Sequence, residues 1–434
     1  ENERKWMAYS RWSKESGPLV TLSTAPHPMM VVSGRTVIRD LLIGKKSFCC
    51  RPRIPMAELM GRQNNVGFTY YGKRLIAMRT LLHSALSLTE VTSTWMELIN
   101  YQADDLCRDF IVSPERFYGH VEANIQKLIG RFTYGHEPSP EYLQMAAQVS
   151  RHTGKAVEAG RWAVNSIPAR TFHHIVMWVP AWMPGAGFKR YAIDARKLFT
   201  RLLNESVALV KQRIDQNEAD TSFVKQSLTN ISLYPSCIDE SLVISSAGSL
   251  FSGMTLLSGT ILSFIVLMAN HEDFQDRAYA EILSVVGTDR FPNCRDRPSL
   301  IFVDALIREV YRFNPIVPVI HRSNYEEEEY EEHFIPKKTW ILVNLWSILH
   351  DPNVYPSPET FCPERFLNSD KDINPDPRSF VYGFGRRRCP AVDFADTTLF
   401  ITITRLLMVF KISPEIVDGI AYPPLLEIME GFTP

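Results

Sequence analysis

No CxxC pair occurs among the seven cysteines (Cys49, Cys50, Cys107, Cys237, Cys294, Cys362 and Cys389), which are scattered and odd in number. That pattern excludes a disulfide framework and a structural zinc site, and it fits a reducing compartment. An excess of one charge is missing too, since 47 Lys and Arg stand against 48 Asp and Glu for a net charge of -1. No global positive field is left to hold nucleic acid or an anionic membrane, so any partner is recognised locally. Repeats of solenoid period, Gly/Ser linkers and the apolar core of a signal peptide are all absent, and the first residues, ENERKWMAYSRW, are polar and charged. What the chain does have is apolar and aromatic material, 45% and 11% of its 434 residues. This excludes disorder, a coiled coil and a collagen-like fibre, and residues 1–434 read as one large globular domain.

From Met56 to about Ile129 apolar residues recur at three and four positions, which predicts helices, and Tyr191 to Gln216 reads the same way. Strand-like text is short: LVTLST, MMVVSG and TWILVNLW from Thr339. The expected fold class is mainly α with a minor β region. Between Ser241 and Asn270 no charged residue occurs, a run long enough to cross a bilayer. Interrupting Ser, Thr and Gly, and a charged amphipathic stretch directly after it, favour a buried central helix over a membrane span. The aromatic stretch Phe172 to Phe188 suits a lid over an apolar pocket, a membrane-surface contact, or ordinary core. His173 and His174 are adjacent, point apart on a helix, and are read as non-ligands. DDLCRD (Asp104 to Asp109) and the carboxylate-rich Glu326 to Glu332 read as solvated surface, on a helix and a hairpin loop respectively.

Chemistry concentrates in SFVYGFGRRRCPAVDFADTTLF, a glycine and arginine loop that delivers Cys389 to the start of a helical stretch. Gly383 and Gly385 allow a tight turn, while Arg386, Arg387, Arg388 and the helix N-terminus favour thiolate over thiol. A thiolate is a strong iron ligand. Cys389 is therefore the candidate axial and metal ligand of a heme, with Arg387 placed to pair with a propionate; a buried cysteine beside solvated arginines is the alternative. Upstream, Glu309 and Arg312 stand three apart on one helix face, and Arg365 in FCPERF can join them.

With these motifs in this order the chain resembles the cytochrome P450 family, heme-thiolate monooxygenases, and in particular its fungal microsomal branch. The residues that carry the resemblance are Glu309 and Arg312 at the ExxR position, PERF at Pro363 to Phe366 and YGFGRRRC from Tyr382 to Cys389. Softer matches are YGKRLIAMRTLLHS from Tyr71 and HRS at His321. The resemblance implies the cytochrome P450 fold, a single large domain around a buried heme b (iron protoporphyrin IX). It implies Cys389 as proximal ligand, Glu309, Arg312 and Arg365 as a structural triad, and Arg387, His321 and Arg79 at the propionates. The uncharged run becomes the helix over the distal face. The resemblance also implies a hydrophobic small-molecule substrate, an NADPH-dependent reductase as partner if the enzyme oxygenates, a monomer, and the cytosolic face of the endoplasmic reticulum membrane. Membrane contact is expected through an N-terminal anchor outside this sequence and through residues 172–188.

The departures are as informative. The acid–alcohol motif of the family's distal helix reads Ser252-Gly253-Met254-Thr255-Leu256-Leu257 here, and no Asp or Glu occurs anywhere from Ser241 to Asn270. In the family that pair orders water and delivers protons for O–O cleavage, which Leu256 cannot do. Leu75 and Ile76 stand where Trp and Arg are usual, Tyr382 replaces a Phe, and Ala391 replaces a Gly. Gly253, Thr255 and Leu256 are thus the candidate catalytic positions, and three functions remain open. The first is an oxygenase of a hydrophobic secondary metabolite with atypical oxygen activation, using Thr255 with a substrate hydroxyl or ordered water. The second is a non-oxygenating isomerase, dehydratase, cyclase or peroxide-using enzyme, and the third is a non-catalytic binding relative.

Overall fold

The computed structural model of the chain describes residues 4–22, 27–158, 160–166, 178–235, 237–254, 256–367, 373–417 and 420–426. Helices dominate, as the periodicity predicts. The 56–129 region resolves into Pro55–Leu59, Lys73–Leu86, Met96–Val112 and Phe117–Tyr134. Pro114 marks one of the breaks, at the start of a short 3-10 turn where its missing N–H is no loss. Met96–Val112 buries Ile99, Ala103, Leu106 and Phe110, the three-and-four stripe of its sequence, against Phe117–Tyr134 and the Val392–Val409 helix. The helix expected from Tyr191 begins at Gly187 and runs to Asp215.

The sheet has four strands in the order β1-β2-β6-β3. Strand β1 is Leu19–Leu22, β2 Met29–Val32 and β3 Val319–Ser323, followed by a hairpin of β4 Glu328–Tyr330 and β5 His333–Ile335, then β6 Trp340–Asn344; β7 Glu415–Val417 and β8 Ile420–Tyr422 form a separate pair. The three strand-like segments of the sequence become β1, β2 and β6. Strand β3 escaped notice because VIHRS alternates poorly. It pairs antiparallel with β6, placing His321 opposite Leu342 and Arg322 opposite Ile341.

Glu240–Met254 and Leu256–Asn270 flank residue 255. The apolar window of this stretch is 62% buried inside the fold, which makes it a core helix and not a span. Phe264 and Met268 are fully buried within a core that also holds Phe132, Phe394 and Phe400.

Two surface expectations change in detail. Asp104 is half-exposed but accepts from Arg405 Nε at 2.7 Å, and Arg405 also donates to Asn100 Oδ1 (2.9 Å) and the Pro292 carbonyl (2.8 Å). Arg405 is a buried cation that fastens the Val392–Val409 helix, so the aspartate is structural. Glu328, on the hairpin, binds Lys45 Nζ at 2.7 Å and the Ser47 hydroxyl. Of the 172–188 stretch, residues 172–177, with His173 and His174, lie outside the described residues. Trp178 and Trp182 are 81% and 78% exposed, which excludes ordinary core for these two, whereas Phe188 packs half-buried against the cluster that holds Met56, Met60 and Ala192.

Candidate functional site

The cysteine loop is built by glycine. Gly383 and Gly385 hold φ of 74° and 53°, a region that penalises a Cβ. A Cβ at Gly385 would meet the Leu42 carbonyl oxygen at 2.7 Å. The turn brings the Cys389 N–H to the Tyr382 carbonyl at 2.7 Å, and Cys389, half-buried, lines a cavity of about 680 Å³. Ala391 lies at the start of the following helix with φ of -102°, a conformation open to any residue, so its methyl adds no backbone strain. The Tyr382 hydroxyl meets that of Tyr311 at 2.6 Å, a contact that the usual Phe cannot make, and Tyr311 in turn donates to Asp396 Oδ1 at 3.2 Å.

One electrostatic expectation is corrected. Burial pushes the Cys389 thiol up, against the opposing pull of the Ala391 backbone N–H, Arg79 and Arg388. Arg386 is exposed, and Arg387 turns away to donate to the carbonyls of Cys49 (2.6 Å), Val66 (3.3 Å) and Thr69 (2.6 Å). Of the three loop arginines only Arg388 acts on the sulfur.

Above the cysteine the cavity wall gathers Arg51, Arg79, His321, Arg322 and Arg387. Burial depresses all of them. Arg51 is held down to about 9 and Arg387 to about 10, Arg79 and Arg322 are lowered as well, and His321 falls to about 4 with Arg51 and Arg322 beside it. Arg51 donates to the His321 carbonyl, yet its Nε is buried without a partner. Among the described residues no carboxylate pairs with any of these four arginines. A concentration of buried, mutually repelling cations is complementary to a ligand that carries two carboxylates, and a soft sulfur donor on the same cavity suits iron. The residues fit heme b. The sequence had pointed to Arg79, His321 and Arg387; Arg322 follows His321 directly in HRS, whereas Arg51 carries no local signal.

The opposite wall is the uncharged helix. Asn65 Nδ2 donates to Ser252 Oγ at 2.8 Å and the Val66 N–H to Ser249 Oγ at 2.9 Å, which fastens the 62–67 loop to the helix. Gly253 and Leu256 line the cavity, and a Cβ at Gly253 would meet nothing within 4 Å. Thr255 lies outside the described residues. Glu122 is the sole carboxylate among the described lining residues, and it sits on the Phe117–Tyr134 helix.

Beneath the site Glu309, Arg312 and Arg365 come together as expected. Glu309 and Arg312 are completely buried and paired in bidentate fashion, Nε to Oε2 and Nη2 to Oε1, both 2.8 Å. Arg365 Nε reaches Glu309 Oε1 at 3.2 Å, and the Cys362 N–H donates to the same oxygen at 2.9 Å. The remaining guanidinium hydrogens go to carbonyls of the 349–360 segment, including Leu349, Pro358 and Thr360. His350 stacks on Trp346 at 4.2 Å, and burial and Arg312 hold it down to about 3. Its folded ring stays neutral while the unfolded chain takes up a proton below its ordinary pKa of 6.5, so stability is lost as pH falls from 6.5 toward 3. Between pH 7.5 and 5 this contributes a loss of about 2 kcal/mol at 1.36 kcal/mol per unit. Urea midpoints of the native chain and His350→Gln at the two pH values should show the variant's slope reduced by that amount; parallel slopes would refute the assignment.

A helical fold that encloses a cavity between a glycine-set cysteine loop and a long apolar helix, ringed by cations suited to two propionates, defines a heme-thiolate enzyme. The family model "Cytochrome P450" matches residues 2–420, and the chain belongs to that family. Cytochrome P450 monooxygenase COX2 of Coprinopsis cinerea is 32% identical over 94% of this chain and 78% of the relative. Cytochrome P450 monooxygenase ppsD of Aspergillus oryzae is 29% identical over 98% and 81%. Among solved structures, a zebrafish cytochrome P450 described with progesterone superposes with a TM-score of 0.76 at 24% identity, covering 94% of this chain and 92% of that one. The cofactor is heme b, and the enzyme class implies a small-molecule substrate and a reductase as redox partner.

Proposed function

We propose that the chain is an oxygenase of an apolar small molecule, a secondary-metabolite intermediate, in which proton delivery does not use a side-chain carboxylate on the distal helix. Bound heme supplies the one-electron and oxygen chemistry. Cys389 would hold it through its sulfur, Arg51, Arg79, His321, Arg322 and Arg387 would receive its propionates, and Glu309, Arg312 and Arg365 would support the surrounding structure. The single observation that carries the reading is the absence of Asp and Glu from Ser241 to Asn270 beside an intact cysteine loop and triad. Gly253 leaves open space beside the helix for substrate, Leu256 excludes water, and Thr255 is the hydroxyl left to order a proton donor. The substrate's own hydroxyl or an ordered water completes the path.

The same apolar wall also supports a second reading, a rearrangement, dehydration, cyclisation or peroxide-using reaction that consumes no dioxygen. Turnover with and without oxygen and NADPH separates the two. The oxygenase requires both, and Thr255→Ala should raise peroxide released per NADPH several-fold. Product formed anaerobically without NADPH would establish the second reading. A non-catalytic role has little support, since a pure binder has no need of the triad. Exposed Trp178 and Trp182 support contact with a membrane surface, consistent with a monomer at the cytosolic face of the endoplasmic reticulum.

A further inference from the structure

Two cations on the cavity wall belong to neither the propionate ring nor the triad, Arg151, which is exposed, and Arg62, which is buried. Arg62 opens a short 3-10 turn (Arg62–Asn64) on the loop fastened to the distal helix, is 4% exposed, and lines the cavity. Its Nε and Nη1 are buried with no hydrogen-bond partner, and among the described residues no carboxylate pairs with it. Its guanidinium lies over the rings of Phe199 (4.3 Å) and Phe68 (5.7 Å), both cavity residues, which set its plane but satisfy none of its N–H groups. Phe199 belongs to the Gly187–Asp215 helix, so this cation sits where the loop and that helix meet.

Arg62 is electrically separate from the ring. Burial alone depresses it, to about 10, whereas Arg322 is acted on by Arg51, Arg387 and Arg79. Glu122 does not reach it either, being engaged with Tyr118. An unpaired guanidinium is costly to bury, and its planar fork matches a carboxylate.

We propose that Arg62 is the substrate-anchoring residue, and that the substrate is an apolar molecule bearing a carboxylate, which Arg62 receives while the apolar body packs on Phe199, Phe68 and Leu256. This rests on the oxygenase reading and deepens it by naming the substrate class. Neutral molecules of the same shape leave the fork unpaired and bind more weakly.

The test compares matched acids and primary amides: dodecanoate with dodecanamide, 2-naphthoate with 2-naphthamide, and abietate with its amide. Binding to heme-loaded protein at pH 7.4 is followed by the ferric Soret shift and, independently of the heme, by equilibrium dialysis. At least one acid should bind ten-fold or more tightly than its amide. Arg62→Gln should reduce that preference to within two-fold, Arg62→Lys should keep part of it, and heme content should be unchanged in both. Equal binding of acid and amide throughout, no binding of any acid, a preference that survives Arg62→Gln, or loss of heme from that variant would each overturn the proposal. Failure of the underlying reading shows separately, as product formed anaerobically without NADPH while dialysis still reports the acid preference.

Discussion

Cys389→Ser is expected to abolish the long-wavelength Soret band of the reduced, carbon-monoxide-bound protein and to take NADPH-dependent turnover to background. The reasoning is local. A half-buried sulfur lines the cavity, and burial pushes its thiol up against the pull of Arg79 and Arg388, so a bound metal would be what favours the thiolate. Serine keeps the size of the side chain and the backbone bond to Tyr382, so the loop survives, but an alcohol is a poor and reluctant anion by comparison. The cationic ring is untouched, and heme is retained in part with altered ligation. Spectrum and heme content measured on one sample check this. A thiolate-type band that persisted in the variant would move the ligand to another of the described cysteines, of which Cys49 and Cys50 lie nearest the ring residue Arg387.

Glu309→Ala is expected to cost about 3–5 kcal/mol, the penalty for removing one partner of a buried ion pair. Here the loss is doubled in kind, because Arg312 at 0% and Arg365 at 9% exposure both lean on that carboxylate, and the Cys362 N–H loses its acceptor as well. Against a typical total stability of about 5–15 kcal/mol this leaves a chain that is marginal at growth temperature. Urea unfolding and the yield of folded heme protein are the measurements. The double variant Glu309→Leu with Arg312→Met should recover part of the loss by removing one stranded cation. Recovery is incomplete because the Leu349, Pro358 and Thr360 carbonyls lose a donor. If the single variant unfolds at the native midpoint, the pair is not structural.

Much of this was legible in the sequence, and the reasons differ between elements. The amphipathic stripe of Met96–Val112 and the turn glycines before Cys389 are local signals: each follows from a periodicity or a backbone preference that neighbouring residues settle among themselves. Glu309 and Arg312 were legible for the same reason, three apart on one face of a helix. Strand β3 was not, because its pairing partner β6 supplies the stability that VIHRS lacks alone. Arg51 and Arg62 were invisible for a further reason. A buried arginine is distinguished by the company that tertiary structure brings to it, and nothing beside either residue separates it from a solvated one. The loop arginines misled in the opposite direction: a cluster of three beside a cysteine suggested a shared electrostatic task, but Arg387 is committed to backbone carbonyls of the 49–69 region.

That commitment has a consequence in time. The bond from Arg387 to the Cys49 carbonyl joins residues 338 positions apart. At a synthesis rate of roughly 5–20 residues per second, the early segment waits on the order of twenty to seventy seconds for its partner to leave the ribosome. During that interval β2 also lacks β6, and the Cys49, Val66 and Thr69 carbonyls lack the Arg387 donor. A cofactor that needs Arg51 and Arg79 as well as Arg387 and Cys389 finds its full set of partners only after the cysteine loop has been made. Its site is complete only when the 49–69 segment and the cysteine loop close upon each other.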